Sequence, residues 1–168
     1  MGWYYTKCAN GILLRRDSPV SIGEILKKYY NPHHITLEKE VRSLLNSHGK
    51  CLVLDGHSFY PKPLPYETDQ AKDRPDFCID TDSFHTPERL TAACVSFLEH
   101  KGFSVKVNSP FSGAMIPMKY YRKDVRVSAI IIEVNKRLYM RTSTEKNKDF
   151  HRIKKTLAQL LSLLECLL

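Results

Sequence analysis

The chain of 168 residues lacks the features that mark membrane, secreted or disordered proteins. It has no run of about eighteen apolar residues, which excludes a membrane-spanning helix. Its first residues, MGWYYTKCANG, do not show the charged and then apolar layout of a secretory signal. Internal repeats and low-complexity segments are also missing, and a hydrophobic fraction of 42% is typical of globular proteins. We therefore expect a single globular domain over residues 1–168, without a membrane partner.

Cysteine is sparse, and its spacing argues against disulfides and against a zinc site made of cysteines. The five cysteines are odd in number, and none of them form a CxxC pair. Cys51, Cys78 and Cys94 lie in apolar stretches, where a free cysteine behaves as a small hydrophobic residue. Because such usage is typical of a reducing compartment, we expect a cytoplasmic protein.

Acidic residues are outnumbered, since 18 Asp and Glu stand against 26 Lys and Arg, a formal net charge of +8. An excess of positive charge favours anionic partners. The basic residues are spread along the chain, and no RNA- or DNA-binding motif accompanies them. A small anionic ligand is therefore the expected partner, in preference to nucleic acid.

The spacing of apolar residues predicts alternating strands and helices. The predicted strands are 51–55, 77–79, 103–107 and 125–134, and the predicted helices are 21–30, 36–48, 86–101 and 147–166. The helix 21–30 should end before Asn31-Pro32, and long loops should follow the first and third strands. This alternation predicts a three-layer α/β/α fold around a mostly parallel, mixed sheet.

Polar side chains follow each predicted strand. If the strands are parallel, their carboxyl ends share the edge of the sheet at which open α/β sheets bind ligands. The residues expected at this edge are His57, Asp80, Asp82, Asn108, Glu133 and Asn135. Glu133 is the most informative, because a carboxylate at the end of a buried strand is costly unless it is paired or used. A metal ion, a nearby arginine such as Arg137, or a catalytic water would each account for it.

Two further patterns bear on a metal site. Asp55 precedes His57 by two residues, so its carboxylate could orient the imidazole. His85 and Glu88 have the HxxE spacing of a metal motif. However, Thr86-Pro87 between them is typical of a helix start, with Thr86 as the cap. For His85 and Glu88, the structural interpretation is preferred.

Four segments, LVLDGHSF, RPDFCIDTDSFHTPE, GFSVKVNSPFSGAMIP and IIIEVNKRLYM, occur in this order. Together they resemble the N-formylglutamate amidohydrolase family over about residues 10–155. The resemblance implies a phosphorylase/hydrolase-like α/β/α fold related to the zinc carboxypeptidases and aspartoacylases. It also implies a zinc-activated water that hydrolyses the N-acyl amide of an acidic amino acid, typically N-formylglutamate to glutamate and formate.

The resemblance also assigns roles to particular residues. His57 would be a zinc ligand, and Glu133 would be the general base. Substrate binding would fall to Arg16, Asn108, Gly113 and Arg137.

The family pattern further implies an earlier histidine and carboxylate that complete the metal site, whereas this chain has no histidine before His33. We therefore expect a fold shortened at its amino terminus. The missing ligands would then come from a partner subunit or from substitutes within the chain, namely His85, Glu88, Asp80 or Asp82. The alternative function is a catalytically inactive member of the same fold that binds an anionic ligand or a protein.

Overall fold

A computed structural model describes residues 7–8, 11–14 and 22–168. In this part of the chain the sheet comprises β1 (Cys51–Phe59), β2 (Phe77–Asp80), β3 (Val105–Val107) and β4 (Val127–Asn135), in the spatial order β1-β4-β2-β3. The α-helices are α1 (Ile22–Ile25), α2 (Asn31–His48), α3 (Glu88–His100) and α4 (Phe150–Cys166), with a 3₁₀ turn at Lys136–Leu138. None of the described helices is long and apolar enough to cross a membrane.

Helices pack on both faces of the sheet, so the α/β fold with three layers is confirmed. Helices α3 and α4 share one apolar cluster with the strands. The centre of this cluster is formed by Phe77, Ile79, Leu98, Ile130 and Leu160. On the opposite face, Val41 and Leu45 of α2 pack against Cys51 and Val127. Each such buried aliphatic or aromatic side chain stabilises the fold by about 1.5–3 kcal/mol.

The sheet is mixed, and the expectation that all four strands end at one edge is wrong. β4 runs parallel to β1 but antiparallel to β2, and β2 runs parallel to β3. The connection of residues 60–76 between β1 and β2 contains no helix, whereas α3 lies between the parallel strands β2 and β3. Asp82 and Asn108 therefore follow strands that run in the opposite direction to β1 and β4.

Strand β1 is four residues longer than predicted, because it continues through Gly56, His57 and Ser58 to Phe59. It pairs with β4 along its whole length, up to the register pair Phe59 and Asn135. His57 therefore lies within a strand rather than at its end.

The helical region before β1 does not stop at Asn31-Pro32 as predicted. A π-helical segment, Leu26–Tyr30, joins α1 to α2, and the N–H of Asn31 donates to the carbonyl of Leu26. Pro32 then lies in the first turn of α2, the part of a helix that tolerates proline best. Gly49 ends α2 in the left-handed conformation, with φ of 73°, and this end was predicted.

Candidate active site

A row of side chains with reactive groups crosses one face of the sheet. His57 on β1 and Cys78 on β2 are both in register with Glu133 on the central strand β4. Side chains in register project from the same face, so these three groups lie side by side. Asp55 lies two residues before His57 on β1, and Asp80 lies two residues after Cys78 on β2. Both are in register with Ile131 and project from the same face. We call these five residues the carboxylate row.

Glu133 is a buried carboxylate with one oxygen that has no partner. The residue is 6% exposed. Its Oε1 lies 3.6 Å from Nδ1 of His57, whereas Oε2 accepts no hydrogen bond from the described residues. Burial raises the pKa of Glu133 to about 7, the negative charge of Asp80 acts in the same direction, and His57 opposes the shift. A carboxyl group that titrates near neutral pH is suited to act as a general base.

His57 lies between two carboxylates, and half of its side chain is exposed. Its Nε2 is 3.1 Å from Oδ2 of Asp55, and its Nδ1 faces Glu133. Oδ2 of Asp55 is buried and has no hydrogen-bond partner in the described chain. Asp55 nevertheless approaches the imidazole closely enough to fix its orientation.

Asp80 and Cys78 are coupled at the other end of the row. The Cys78 thiol donates to Oδ1 of Asp80 over 2.7 Å, and both residues are buried. Burial raises the pKa of Asp80, and burial together with Asp80 raises the pKa of Cys78 to about 12. Cys78 is therefore a protonated donor at neutral pH and not a nucleophile.

Arg74 is a buried residue near the row that sequence reasoning missed. Only 1% of its side chain is exposed, and its guanidinium lies between the rings of Phe59 and Phe111, with centroids 5.9 and 5.7 Å from Cζ. The carbonyl of Phe111 is in turn 3.7 Å from the sulfur of Cys78. The guanidinium therefore lies close to the carboxylate row.

The partners of Arg74 come mainly from the connection between β1 and β2. It forms an ion pair with Glu67 and donates to the carbonyls of Tyr60 and Asp69 at 3.3 and 3.0 Å. Its Nε has no partner among the described residues. The short sequence RPDF gave no sign of this role, since the burial depends on rings far away in the chain.

His85, one of the proposed metal ligands, has a structural role. It is 1% exposed, and its Nδ1 donates to the carbonyl of Val127 over 2.7 Å. Its Nε2 accepts from the backbone N–H of Arg122 over 2.8 Å. Because both ring nitrogens are used, His85 has none left for a metal ion.

The other proposed substitutes from this segment serve the start of α3. Oδ1 of Asp82 accepts from the backbone N–H groups of Phe84 and His85 at 2.9 and 3.1 Å. Glu88 is exposed in the first helical turn, where an acidic residue is favourable. Thr86 does not cap the helix as predicted, since its hydroxyl donates to the carbonyl of Ala129 over 2.6 Å. Of the four proposed substitutes, Asp80 is the one that belongs to the carboxylate row.

The predicted substrate residues are dispersed. Asn108 uses both ends of its amide on Thr81, at 2.8 and 2.7 Å. The guanidinium of Arg137 pairs with Asp76 over 2.8 Å and therefore does not neutralise Glu133. Burial alone would raise the pKa of Asp76, but hydrogen bonds and this arginine lower it overall.

Gly113 lies in the connection between β3 and β4, with φ of 116°. This left-handed conformation favours glycine and suits a tight loop. Arg16 lies outside the described residues.

The described residues do not by themselves fit a catalytic zinc ion. Such an ion normally has three protein ligands. No group of three His, Cys, Asp or Glu in residues 7–8, 11–14 and 22–168 could hold a metal ion. His57 supplies the imidazole of the row, and both of its nitrogens face carboxylates. Zinc therefore stays a prediction.

The structure therefore combines an α/β/α fold with a buried carboxylate whose pKa lies near neutral pH. The family model of N-formylglutamate amidohydrolase matches residues 1–140. The chain therefore belongs to the N-formylglutamate amidohydrolase family. No curated protein matches its sequence.

Two solved structures share the fold. One is the N-formylglutamate amidohydrolase from Ralstonia eutropha JMP134, with a TM-score of 0.74, 25% identity, and coverage of 89% of this chain and 55% of that chain. The other is a gene product from Agrobacterium tumefaciens, with a TM-score of 0.62, 16% identity, and coverage of 96% of this chain and 62% of that chain. At this identity, the similarity shows the fold alone. This chain therefore spans little more than half of the length of these relatives.

Proposed function

We propose that the protein hydrolyses the N-acyl amide of an acidic amino acid, with N-formylglutamate as the substrate and glutamate and formate as the products. Family membership supports the reaction class. The observation that carries the proposal is Glu133, which combines burial, a pKa of about 7 and an unpartnered oxygen beside His57. Because a buried carboxylate without a partner is costly, a reacting water or substrate is the natural partner of Oε2.

In the proposed reaction, ionised Glu133 takes a proton from a water molecule as the water oxygen bonds to the formyl carbon. The tetrahedral intermediate collapses when the C–N bond breaks, and Glu133 returns the proton to the leaving amine nitrogen. Formic acid then loses its proton to solvent. The two nitrogens of His57 lie 3.1 Å from Asp55 and 3.6 Å from Oε1 of Glu133, which leaves Oε2 for the reacting water.

The substrate carboxylates require cationic partners, and the net charge of +8 supports an anionic substrate. Arg137 is paired with Asp76 and Arg74 with Glu67, so the charge of each is already compensated within the chain. Arg74 retains an N–H without a partner in the described chain, and Arg16 keeps its predicted role. An arginine fork matches a carboxylate well.

The test is formate release from N-formylglutamate by the wild type, by Glu133→Gln and by Glu99→Gln. Glu99 is an exposed glutamate on α3 and serves as the matched control. Glu133→Gln should lower the rate about 10²- to 10⁴-fold, the usual contribution of a positioned base, and Glu99→Gln should leave it unchanged. Equal rates in the wild type and Glu133→Gln would remove Glu133 from the mechanism.

Zinc is a separate proposal, and no step above is assigned to it. If His57 is a zinc ligand, adding zinc to metal-free protein should raise the melting temperature. The His57→Ala variant should show no such rise in melting temperature. An unchanged melting temperature in the wild type would reject the zinc proposal and leave the role of Glu133 to the formate assay.

The alternative is an inactive family member that binds an anionic ligand or a protein. It is favoured by the lack of a three-ligand metal group in the described residues and by the 55% coverage of the Ralstonia chain. Binding of N-formylglutamate by calorimetry without formate release would establish it. The five cysteines are free thiols, which supports a cytoplasmic location under either function.

A further inference from the structure

Residues 117–126, PMKYYRKDVR, form a compact loop that leads into β4. Tyr120 anchors this loop, because its ring is buried in the cluster that α2 forms with the sheet. Tyr121 stacks on the buried ring of His85, with centroids 5.9 Å apart, and the N–H of Arg122 donates to Nε2 of His85 over 2.8 Å. The inner side of the loop is therefore fixed, and its other side chains are presented to solvent. We call it the 117–126 loop.

Two apolar side chains of this loop are unusually exposed. Met118 is 77% exposed and Val125 is 74% exposed, the two highest values among the large apolar side chains of the described residues. Phe84 is exposed beside them, since its ring lies 4.7 Å from that of His85, on which the loop packs. A group of exposed apolar side chains of this kind marks a protein or membrane interaction site.

The same loop carries four exposed basic side chains, namely Lys119, Arg122, Lys123 and Arg126. Two of them have acidic neighbours, because Arg126 pairs with Asp124 over 2.7 Å and Lys119 lies 3.5 Å from Glu38 of α2. The other two form no ion pair with any of the described residues. The loop therefore presents an excess of positive charge next to its exposed apolar side chains.

We propose that the 117–126 loop is a docking surface for an anionic lipid bilayer. Met118 and Val125 enter the headgroup region, while Arg122 and Lys123 pair with the phosphate and carboxylate groups of the lipids. Stable attachment to a membrane takes two such signals together, because one weak signal gives only marginal binding. A nucleic acid would use the positive charge but would leave the two apolar side chains in water, so the bilayer fits the surface better.

The contact is peripheral and needs no membrane-spanning helix. The sequence-based expectation of no membrane partner came from the lack of a spanning segment, which has no bearing on a surface that a bilayer contacts from outside. Anionic lipids face the cytoplasm in the inner leaflet, so the contact is compatible with the proposed cytoplasmic location.

The docking surface lies at the opposite end of β1 and β4 from the carboxylate row. The N–H of Cys51 donates to the carbonyl of Arg126 over 2.9 Å, so the loop adjoins the first register pair of the two strands, Cys51 and Val127. Glu133 is six residues beyond Val127 on β4, about 20 Å at the usual rise per residue. Docking therefore does not cover the row, and the proposal does not depend on the proposed hydrolysis.

The experiment is co-sedimentation of the protein with vesicles of phosphatidylcholine alone or of phosphatidylcholine mixed with phosphatidylserine. The wild type should bind the mixed vesicles and not the vesicles of phosphatidylcholine alone. Arg122→Gln with Lys123→Gln should lower the partition coefficient about 30-fold, since each basic side chain near an anionic surface contributes about fivefold. The matched control is Lys154→Gln with Lys155→Gln, which removes the same charge from exposed positions of α4 on the other face of the sheet and should bind like the wild type.

A second pair of variants tests the apolar contribution. Met118→Ser with Val125→Ser keeps the charge and should lower binding to the mixed vesicles at least about tenfold, because the apolar contact with the bilayer is lost. Its control is Leu161→Ser, which changes an exposed apolar residue of α4 and should have no effect. Circular dichroism checks that each variant is folded.

Wild-type protein that does not sediment with the mixed vesicles would overturn the proposal, as would a folded Arg122→Gln with Lys123→Gln variant that binds them like the wild type. A duplex oligonucleotide, followed by fluorescence anisotropy, tests the other polyanion. If Met118→Ser with Val125→Ser bound both the oligonucleotide and the mixed vesicles as the wild type does, the surface would be a site for any polyanion, which also refutes a bilayer site. These readouts do not require formate release, so a failed docking surface and a failed enzymatic proposal are distinguishable.

Discussion

Replacing Glu133 by glutamine should stabilise the fold at alkaline pH and have a much smaller effect in acid. Burial raises the pKa of Glu133 from 4.5 to about 7. The folded protein therefore binds this proton more tightly than the unfolded chain does. The resulting stability is fully present below the unfolded pKa and is lost as the pH rises through about 7. At about 1.4 kcal/mol per pKa unit, the free energy of unfolding of the wild type should lose about 3 kcal/mol relative to the glutamine variant.

The measurement is urea unfolding of both proteins at about pH 5 and pH 9 in metal-free buffer, followed by circular dichroism. Glutamine has nearly the same shape but does not titrate, so the difference between the proteins isolates the charge. The variant should gain about 2–3 kcal/mol on the wild type between these pH values, or roughly 6–10 °C in melting temperature. Glu99→Gln on the exposed side of α3 should show no such trend. A difference that is constant with pH, or that grows towards acid, would refute the argument.

Three further variants test the surroundings of the row. Arg74→Met should lower the free energy of unfolding in urea by about 3–5 kcal/mol, because it leaves Glu67 buried without a partner. Adding Glu67→Leu should recover part of this loss. If Arg74→Met were as stable as the wild type, the pair would not be buried. His85→Ala should lower the free energy of unfolding by about 2–4 kcal/mol, because two hydrogen bonds are lost. Formate release per folded molecule should be unchanged, whereas it would be abolished if His85 were a metal ligand. At pH 8, alkylation followed by mass spectrometry should find the exposed Cys166 modified in the folded protein. Cys78, which is buried and has a pKa of about 12, should be modified only after unfolding. Labelling of Cys78 in the folded protein would show that the carboxylate row is open to solvent.

The fold class could be predicted from the sequence because apolar spacing reports which face of an element is buried. The end of β1 could not be predicted in this way. Beyond Asp55 the side chains of the strand alternate between the face of the carboxylate row and the face covered by α3 and α4. Neither Gly56 nor His57 therefore extends an apolar run. Their strand conformation depends on pairing with β4, a contact between residues about 75 positions apart in the sequence.

Strand direction was the main error, since hydrophobic patterning carries no information on it. Asp80 and Glu133 were predicted to lie together on the assumption of parallel strands. They are neighbours, but the reason is that β2 runs antiparallel to β4. The antiparallel register puts Cys78 opposite Glu133 and Asp80 two residues further along. Asp82 and Asn108, predicted by the same reasoning, are instead used at the turn before α3 and at Thr81.

Two long connections between strands, for which the sequence predicts no regular structure, contribute to the chemistry of the carboxylate row. Arg74 and Glu67 lie between β1 and β2, while Phe111 lies between β3 and β4, and the three meet at one buried guanidinium. Glu133 depends on this packing, because its pKa is raised first by burial and also by the negative charge of Glu67. Removing the charge of Glu67, which the connection between β1 and β2 carries, should lower the pKa of Glu133 towards the ordinary value of a glutamate. The basicity of the proposed catalytic group is therefore set by loop packing as well as by its position on β4.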